Sequence, residues 1–363
     1  MILAVTHRRD EHARPVLDAL ARQGVEVAVL DFAHLPARGR VALAYGGAGA
    51  RELRLDGAPS IDASRVRALW WRRPLTPEAP RGLPARRAEF AVRQTLEALT
   101  GLLGSLEAGA LLVNHPWRDD AAAQKTLQLA AAERAGLAIP PTLVTNDLEA
   151  ARAFLAERGP AGAIHKLVHA TPEDWRRTRR VGARGAAGVR DLRHAPVILQ
   201  ERIPGIDVRV TVVGDELFAA EIDARRSSSP DDFRGFERQC RFAACKMPDR
   251  EEAGLRRLLR ELGLVYAAID FRRDEDGRLW FLDLNPAGQW LFVERRTGQP
   301  ITAALAGLLG STRFGRRDAS YGGTPRAGDI ERDPYLAGVP TSTERGGSHK
   351  VTAWRTARTS KHG

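Results

Sequence analysis

The opening stretch restricts the fold more than any other: a short apolar run at residues 2–6 is followed by apolar positions at helical spacing over 11–23, a stop at Gly24 and a second apolar run over 25–32. A strand, a helix and a strand in so short a span form a β-α-β crossover, which commits both strands to one parallel sheet with the helix across its face. The pattern continues with a strand over 66–71, a proline-rich break from Pro74 to Pro84, a long helix through Leu106 and a strand over 111–114. The N-terminal part is therefore expected to be a small parallel α/β layer.

Beyond it the pattern changes. A helix is expected from Asp119 to Ala135 with a stop at Gly136, then a strand over 142–145, a cap at Asn146-Asp147 and a helix over 148–158. Strands over 164–168 and 197–202 bracket an arginine- and glycine-rich stretch, 176–190, that reads as a mobile loop. Two hairpins follow, 208–213 with 216–222 across Gly214-Asp215, and 266–272 with 279–284 across 274–277, separated by a helix over 250–262. A last helix ends near Leu309, after which Gly, Pro, Ser, Thr and Arg replace the apolar periodicity. A chain of 363 residues has room for two or three folding units. The expected boundaries are 1–115, 116–203 and 204–310, with 311–363 a basic, disordered tail.

Composition excludes several classes. No apolar run approaches the roughly 20 residues a membrane span requires, and no cleavable signal pattern follows Met1, so a soluble cytoplasmic protein with no membrane partner is expected. The only cysteines, Cys240 and Cys245, offer neither a disulfide framework nor a zinc set and are read as free thiols. The net charge is +11; ten basic and five acidic residues in 311–363 give +5 to the tail and leave +6 for the body. No nucleic-acid-binding signature accompanies that charge, and no nucleic-acid partner is expected. Of the 56 basic residues only five are lysines, which singles out Lys125 and Lys166 as positions where arginine would not serve.

The second hairpin carries the most chemistry. Asp283 and Asn285, two apart on one strand, share a face that Asp270 on the partner strand can join, so three hard oxygens converge. That set suits Mg²⁺, which prefers a few side-chain oxygens plus phosphates; the plainer reading is a strand end with Asx-turn chemistry. Lys166 lies in an apolar strand and needs an anionic partner, while Lys125, placed within a helix, reads on its own as a solvated helix residue. The segment Leu199-Gln200-Glu201-Arg202-Ile203 ends a strand, where backbone groups can meet a purine edge and Glu201 a ribose hydroxyl. Asp207 and Arg209 share a face of the next strand, and Arg234 follows a polar loop. Arginines aimed at a metal–phosphate cluster would neutralise charge in phosphoryl transfer, although in so arginine-rich a chain most are surface residues.

The order of these elements, a lysine before a Gly-Leu-x-Ile-Pro break, a strand lysine, Gln-Glu, Asp-x-Arg, an Asp and then Asp-x-Asn-Pro, resembles the ATP-grasp superfamily. Within it the chain is most similar to microviridin-type peptide ligases, the graspetide maturases. The stretches that carry the likeness are Trp70-Trp71-Arg72-Arg73-Pro74, Val113-Asn114-His115-Pro116, the segment 136–147 and Asn285-Pro286-Ala287-Gly288-Gln289-Trp290, spread over about residues 1–310.

The resemblance implies an ATP-grasp fold of the α/β (α+β) class with an N-terminal Rossmann-like pre-ATP-grasp domain. It implies that Lys125 and Lys166 hold the phosphates of ATP, and that Gln200, Glu201 and Ile203, with Asp207 counted among them, line the nucleotide. Asp270, Asp283 and Asn285 would bind two Mg²⁺ ions, and Arg209 and Arg234 would steady the γ-phosphate and an acyl phosphate. Three positions depart from the pattern: Asp283 stands where glutamate is usual, Leu167 where proline follows the strand lysine, and His165 where tyrosine precedes it. The implied activity is an ATP-dependent ligase that activates Asp or Glu side chains of a ribosomally made precursor peptide and closes ester or amide rings. A leader segment of that peptide would dock on the insert 225–245, and the protein would be a homodimer; residues 181–189 read either as a flap that keeps water from the acyl phosphate or as a disordered surface loop with no closing role. A ligase for small amino-acid or glutamate-type substrates is the alternative, and a non-catalytic ATP-binding carrier a third reading.

Overall fold

The computed structural model describes residues 1–45, 51–55, 60–106, 110–158, 162–168, 179–181 and 193–311. These belong to the first of two units, Met1–Gly323; the second, Thr324–Gly363, lies outside the described residues, as do most of the expected flap and tail.

The β-α-β opening is present: β1 (Ile2–Val5) and β2 (Val27–Leu30) run parallel, joined through α1 (Ala13–Arg22). A three-stranded antiparallel sheet that sequence reasoning did not anticipate follows, formed by β3 (Gly39–Leu43), β4 (Arg51–Leu55) and β5 (Ile61–Asp62). Its strands are short and interrupted by charged residues, so they lack the apolar runs that marked the others. β6 (Ala68–Trp71) then pairs with β1, and after α2 (Ala85–Gly104) the strand β7 (Leu111–Val113) pairs with β6, giving a parallel sheet ordered β2-β1-β6-β7. Both faces are covered, as the unbroken apolar runs require. Ile2, Ala4, Ala68, Trp70 and Val113 share one core with α1, whereas Leu3, Val5, Leu69, Trp71 and Leu112 share another with the C-terminal half of α2.

The helix expected from Asp119 to Ala135 is two helices, α3 (Pro116–Ala122) and α4 (Lys125–Arg134). Gln124 adopts an extended backbone between them (φ −77°, ψ 111°), and Gln128 Nε2 donates to the freed Ala122 carbonyl at 2.7 Å. Lys125 therefore opens a helix and does not lie within one. Gly136 (φ +77°) supplies the left-handed turn after α4.

Two antiparallel sheets complete the described chain. In the first, β8 (Thr142–Thr145), β9 (Ala163–Lys166), β10 (Arg179–Val181) and β11 (Val197–Glu201) are ordered β10-β9-β11-β8 and backed by α5 (Leu148–Ala156), whose N-terminus Asp147 caps as expected. The second contains β12 (Ile206–Val213), β13 (Glu216–Asp223), β14 (Arg241–Cys245), β15 (Tyr266–Arg273) and β16 (Leu279–Asn285), ordered β14-β13-β12-β15-β16, with α6 (Asp249–Leu262) between β14 and β15. Strand alternation buries Val208, Val210, Val212, Ile269 and Phe271 against α4 and α6 and turns Asp207, Arg209, Asp270 and Asp283 to the other face. The single last helix expected is also two, α7 (Leu291–Thr297) and α8 (Ile301–Gly310), parted by Gly298 (φ +73°) and Pro300. Ile301, Leu305 and Leu309 of α8 return to the core under β1 and β6. Among the described residues no helix is long and apolar enough to cross a membrane.

Candidate active site

The register of the five-stranded sheet sets three ionic side chains in line: Arg209 on β12 opposes Asp270 on β15, which opposes Asp283 on β16. Two carboxylates directly across a strand pair repel unless cations compensate them. Both are compensated, since Arg209 Nη1 donates to Asp270 Oδ1 at 2.7 Å and Lys125 Nζ to Asp283 Oδ1 at 2.5 Å. Each carboxylate side chain keeps 31% of its surface open. The ladder irregularity between Asp270 and Phe271 lies beside this pair, as bulges at functional sites commonly do. Asn285, two residues past Asp283, is exposed and accepts the Ala287 N–H on Oδ1 at 3.0 Å. The Asx-turn reading of Asn285 is thus correct as far as it goes, and its side chain still stands at the end of the strand that carries Asp283.

Lys166 ends β9 on the other sheet and donates to Gln200 Oε1 at 2.8 Å, while Gln200 Nε2 donates to Thr142 Oγ1 at 2.9 Å. The buried Gln200 side chain is thereby engaged in aiming the lysine, a role the expected nucleotide contact did not include. Burial pushes the Lys166 ammonium down to about 8, against the pull of Asp283 and Asp270 and with Lys125 and Arg234 adding to the fall. Two lysines, two arginines and two aspartates accordingly share one field. Arg234 is held in a two-pronged pair with Asp232, at 2.7 Å on each arm. Burial opposes its charge, but Asp232 and the nearby Asp270 and Asp283 outweigh that cost and hold its pKa above the usual arginine value.

The linker between the sheets is tied down. Glu201 accepts from Arg158 Nη1 at 3.0 Å, and the Ile203 carbonyl accepts from Arg272 Nε at 3.1 Å. Asp207, expected among the nucleotide-binding residues, is buried and faces Arg272 Nη1 at 2.7 Å. Burial pushes it up to about 6 against that guanidinium, and its place under the linker makes it an anchor for Arg272. The insert 225–245 contributes Asp231, which accepts from Arg180 on β10 and from Arg202 Nε at 2.8 Å, so it ties the two sheets together.

Sequence reasoning assigned no role to a second layer. Arg72, after β6, is buried, with Nε 3.0 Å from Asp10 Oδ2 and Nη1 donating to the carbonyls of Ala287 at 2.5 Å and Gly288 at 3.0 Å. Asn114, after β7, donates to the Tyr266 and Pro286 carbonyls at 2.9 and 3.0 Å and accepts the N–H groups of Val265 and Tyr266 at 2.9 Å each. The Trp-Trp-Arg-Arg-Pro and Val-Asn-His-Pro motifs were the available signal, but only the fold shows what they touch. Trp70 is core, and Trp290 is fully buried against Trp70, Tyr266 and His12.

Among the described residues no three His, Cys, Asp or Glu side chains form a metal cluster. Asp270, Asp283 and Asn285 nevertheless fit Mg²⁺, an ion that takes one or two carboxylates and completes its shell with water and phosphate oxygens. The four cations around them fit the phosphates.

Residues 1–119 match the family described as the MvdD pre-ATP grasp domain. The chain is similar in structure to macrocyclase MdnC from Microcystis aeruginosa MRC, solved with the precursor peptide MdnA: identity is 28%, the TM-score 0.75, and 86% of this chain and 99% of that one are covered. It is similar to the ATP-grasp ligase PsnB, solved with a phosphomimetic variant of its minimal precursor, Mg and ADP, at 28% identity and TM-score 0.68, covering 85% and 97%. A RiPP-associated ATP-grasp ligase of Chryseobacterium gregarium, solved with ADP and leader and core peptides, shares the fold at 23% identity and TM-score 0.76, covering 87% and 99%. No curated protein matches the sequence. The likeness to graspetide-type ATP-grasp ligases is borne out, and so is the expected α/β fold.

Proposed function

We propose that the chain is an ATP-dependent ligase acting on a ribosomally made precursor peptide, and that it converts Asp or Glu side chains to acyl phosphates and closes ester or amide macrocycles. One observation carries this reading: Lys125 pairs with Asp283, and Lys166, on another sheet, lies in the field of Asp283 and Asp270, in a chain similar over 86% of its length to a peptide macrocyclase. ATP and Mg²⁺ accompany the ligases of this fold, as the ADP and Mg complexes of PsnB illustrate.

Joining a carboxylate to a hydroxyl or amine in water is uphill, because the carboxylate lacks a leaving group. Phosphorylation supplies one, and phosphoryl transfer needs positioning and charge neutralisation more than a protein nucleophile. Lys125 and Lys166 hold the nucleotide phosphates as point charges, while Arg209 and Arg234, already oriented by Asp270 and Asp232, face the transferred group and the activated carboxyl. Asp270, Asp283 and Asn285 would hold Mg²⁺, two ions in our reading, and the metal when bound neutralises phosphate charge. A Ser, Thr or Lys side chain of the same peptide then displaces phosphate and closes the ring. Gln200 and Glu201 keep Lys166 and the linker in register.

In this reading residues 1–115, 116–203 and 204–310 act as a base and two jaws. The insert 225–245 receives the leader, two chains form a dimer, and the enzyme works in the cytoplasm. The test is incubation with ATP, Mg²⁺ and an acidic, Thr-rich precursor, followed by mass spectrometry. Loss of one water per ring with matching release of phosphate supports the proposal. Extension of free amino acids in place of cyclisation would transfer the site to small-substrate ligation.

A further inference from the structure

In open parallel sheets, ligands bind in the crevice outside the carboxyl ends of the strands. Here that crevice is occupied by the protein's own segment 285–291. Asp10 and His12 follow β1, Arg72 and Arg73 follow β6, and Asn114 follows β7; all of them reach this segment or hold a residue that does. The Pro286 carbonyl is taken by Asn114, the Ala287 carbonyl by Arg72 and by Arg73 Nε (3.3 Å), and the Gly288 carbonyl by Arg72 and the Tyr266 hydroxyl (2.8 Å). His12, whose pKa burial and Arg72 push down to about 3, is neutral and accepts the N–H groups of Trp290 and Leu291 on Nδ1. Such a turn has no ladder partners, and buried carbonyls without a donor are costly.

We propose that Arg72 is a positioning residue for the reaction: its fork fixes the turn that begins at Asn285 and ends at Gln289. This rests on the reading of Asp270, Asp283 and Asn285 as the metal–nucleotide site. The turn has two outlets to that site. Asn285 stands at its start beside Asp283, and the Gln289 carbonyl at its end accepts from Arg209 Nη2 at 3.1 Å, the same guanidinium that holds Asp270. The space leaves no slack, because a Cβ on Gly288 would meet Ala268 Cβ at 2.2 Å and Arg209 Nη2 at 3.2 Å. A planar guanidinium can bridge Asp10 and two successive carbonyls while lying 4.9 Å from the centre of the Trp290 ring; an ammonium on a flexible stem cannot hold that geometry.

The test uses the full chain with Arg72→Lys and Asp283→Ala, titrating Mn²⁺ in the presence of ADP by calorimetry and by the Mn²⁺ paramagnetic signal, beside metal-free ADP titrations. Arg72→Lys, which acts on the ligands only through the turn, should weaken Mn²⁺ binding by about tenfold, the lower end of the loss caused by removing a direct partner of a metal ligand, with metal-free ADP affinity changed by less than about twofold. Its kcat should fall while the KM for precursor peptide holds. A folded Arg72→Lys chain that binds Mn²⁺ like the parent, when Asp283→Ala does not, overturns the positioning role and leaves the metal site standing. If Asp283→Ala itself binds Mn²⁺ normally, the metal reading is what fails. Should Arg72→Lys not fold, Asp10→Asn releases the same fork, and unchanged Mn²⁺ binding there overturns the proposal equally.

Discussion

Lys125 Nζ lies 2.5 Å from Asp283 Oδ1, joining the first residue of α4 to a carboxylate on β16. Arg209 and Asp270 repeat the arrangement one strand over, at 2.7 Å. The site is therefore a set of paired charges that Mg²⁺ and a triphosphate would re-partner, cations to phosphate and carboxylates to metal. Both lysine and carboxylate are partly open, so their mutual pairing adds little to stability and leaves them free to exchange.

Asp283→Ala should consequently disable catalysis without unfolding the chain. Charge stabilisation by a bound metal is worth several kcal/mol, so ring closure should slow by more than about a hundredfold. Circular dichroism should match the parent, and Asp283→Glu, which restores the residue usual in graspetide-type ligases, should retain activity. Near-normal turnover by Asp283→Ala in a precursor assay would remove Asp283 from the metal site.

Lys166 sets a pH limit. Its ammonium, pushed down to about 8 by burial, is charged below that value and loses its proton above it, so kcat/KM for ATP should decline as pH rises through about 8. Lys166→Arg keeps its charge there and should flatten that limb, at lower overall activity because a fork replaces a point charge. Stability runs the opposite way: between about 8 and the ordinary 10.5 the folded chain binds fewer protons at this site than the unfolded one, so this residue's contribution rises with pH. A pH-rate profile that stays flat through pH 9 in the parent would contradict the assignment.

Strand alternation made the shared face of Asp283 and Asn285 legible in the sequence; that Asp270 stands opposite Asp283 depends on a five-residue turn, 274–278, together with the register shift between Asp270 and Phe271, which alternation alone does not give. The apolar runs of β1, β6 and β7 were legible as well. Less could be read where long-range partners decide. The break at Ala123-Gln124 depends on Gln128 finding the Ala122 carbonyl and the Leu284 backbone, and no local signal in that alanine-rich stretch marks it. Asp207 looks like a ligand beside Arg209 until Arg272 is placed opposite it. Arg72 stood in a recognisable motif, yet its partners Ala287 and Gly288 are more than two hundred positions away in the chain.

The Asp10–Arg72 pair should matter to folding as the exposed pairs do not. Its side chains are 3% and 1% exposed, and removing one member of a buried pair strands the other charge. Asp10→Ala should cost about 3–5 kcal/mol in denaturant unfolding, whereas Arg65→Ala, which breaks an exposed pair with Glu26, should cost less than about 1 kcal/mol. Asp10→Ala combined with Arg72→Met should cost less than the two single changes summed, since no orphaned charge then remains. Additive costs would show that the two side chains act separately.

Gly288→Ala probes the turn from inside. A Cβ there would sit 2.2 Å from Ala268 Cβ and 3.1 Å from the Asn285 carbonyl oxygen. Neither neighbour is the end of a flexible chain: Ala268 is fully buried in the middle of β15, and the Asn285 carbonyl already accepts the Gly288 N–H. The turn must therefore move away from the strand, and overpacking of this kind costs about 1–3 kcal/mol. The Gln289 carbonyl, one residue on, accepts from Arg209 Nη2 at 3.1 Å, so a shift of the turn should disturb that contact, and Mg²⁺ dependence should worsen along with stability. The partner change supplies the control. Ala268→Gly removes the opposing methyl at a cost of about 0.5–1 kcal/mol for glycine in a strand, and adding it to Gly288→Ala should restore both melting temperature and Mg²⁺ half-saturation toward the parent. If the double variant melts lower than Gly288→Ala alone, the 2.2 Å approach is not what excludes a side chain at position 288.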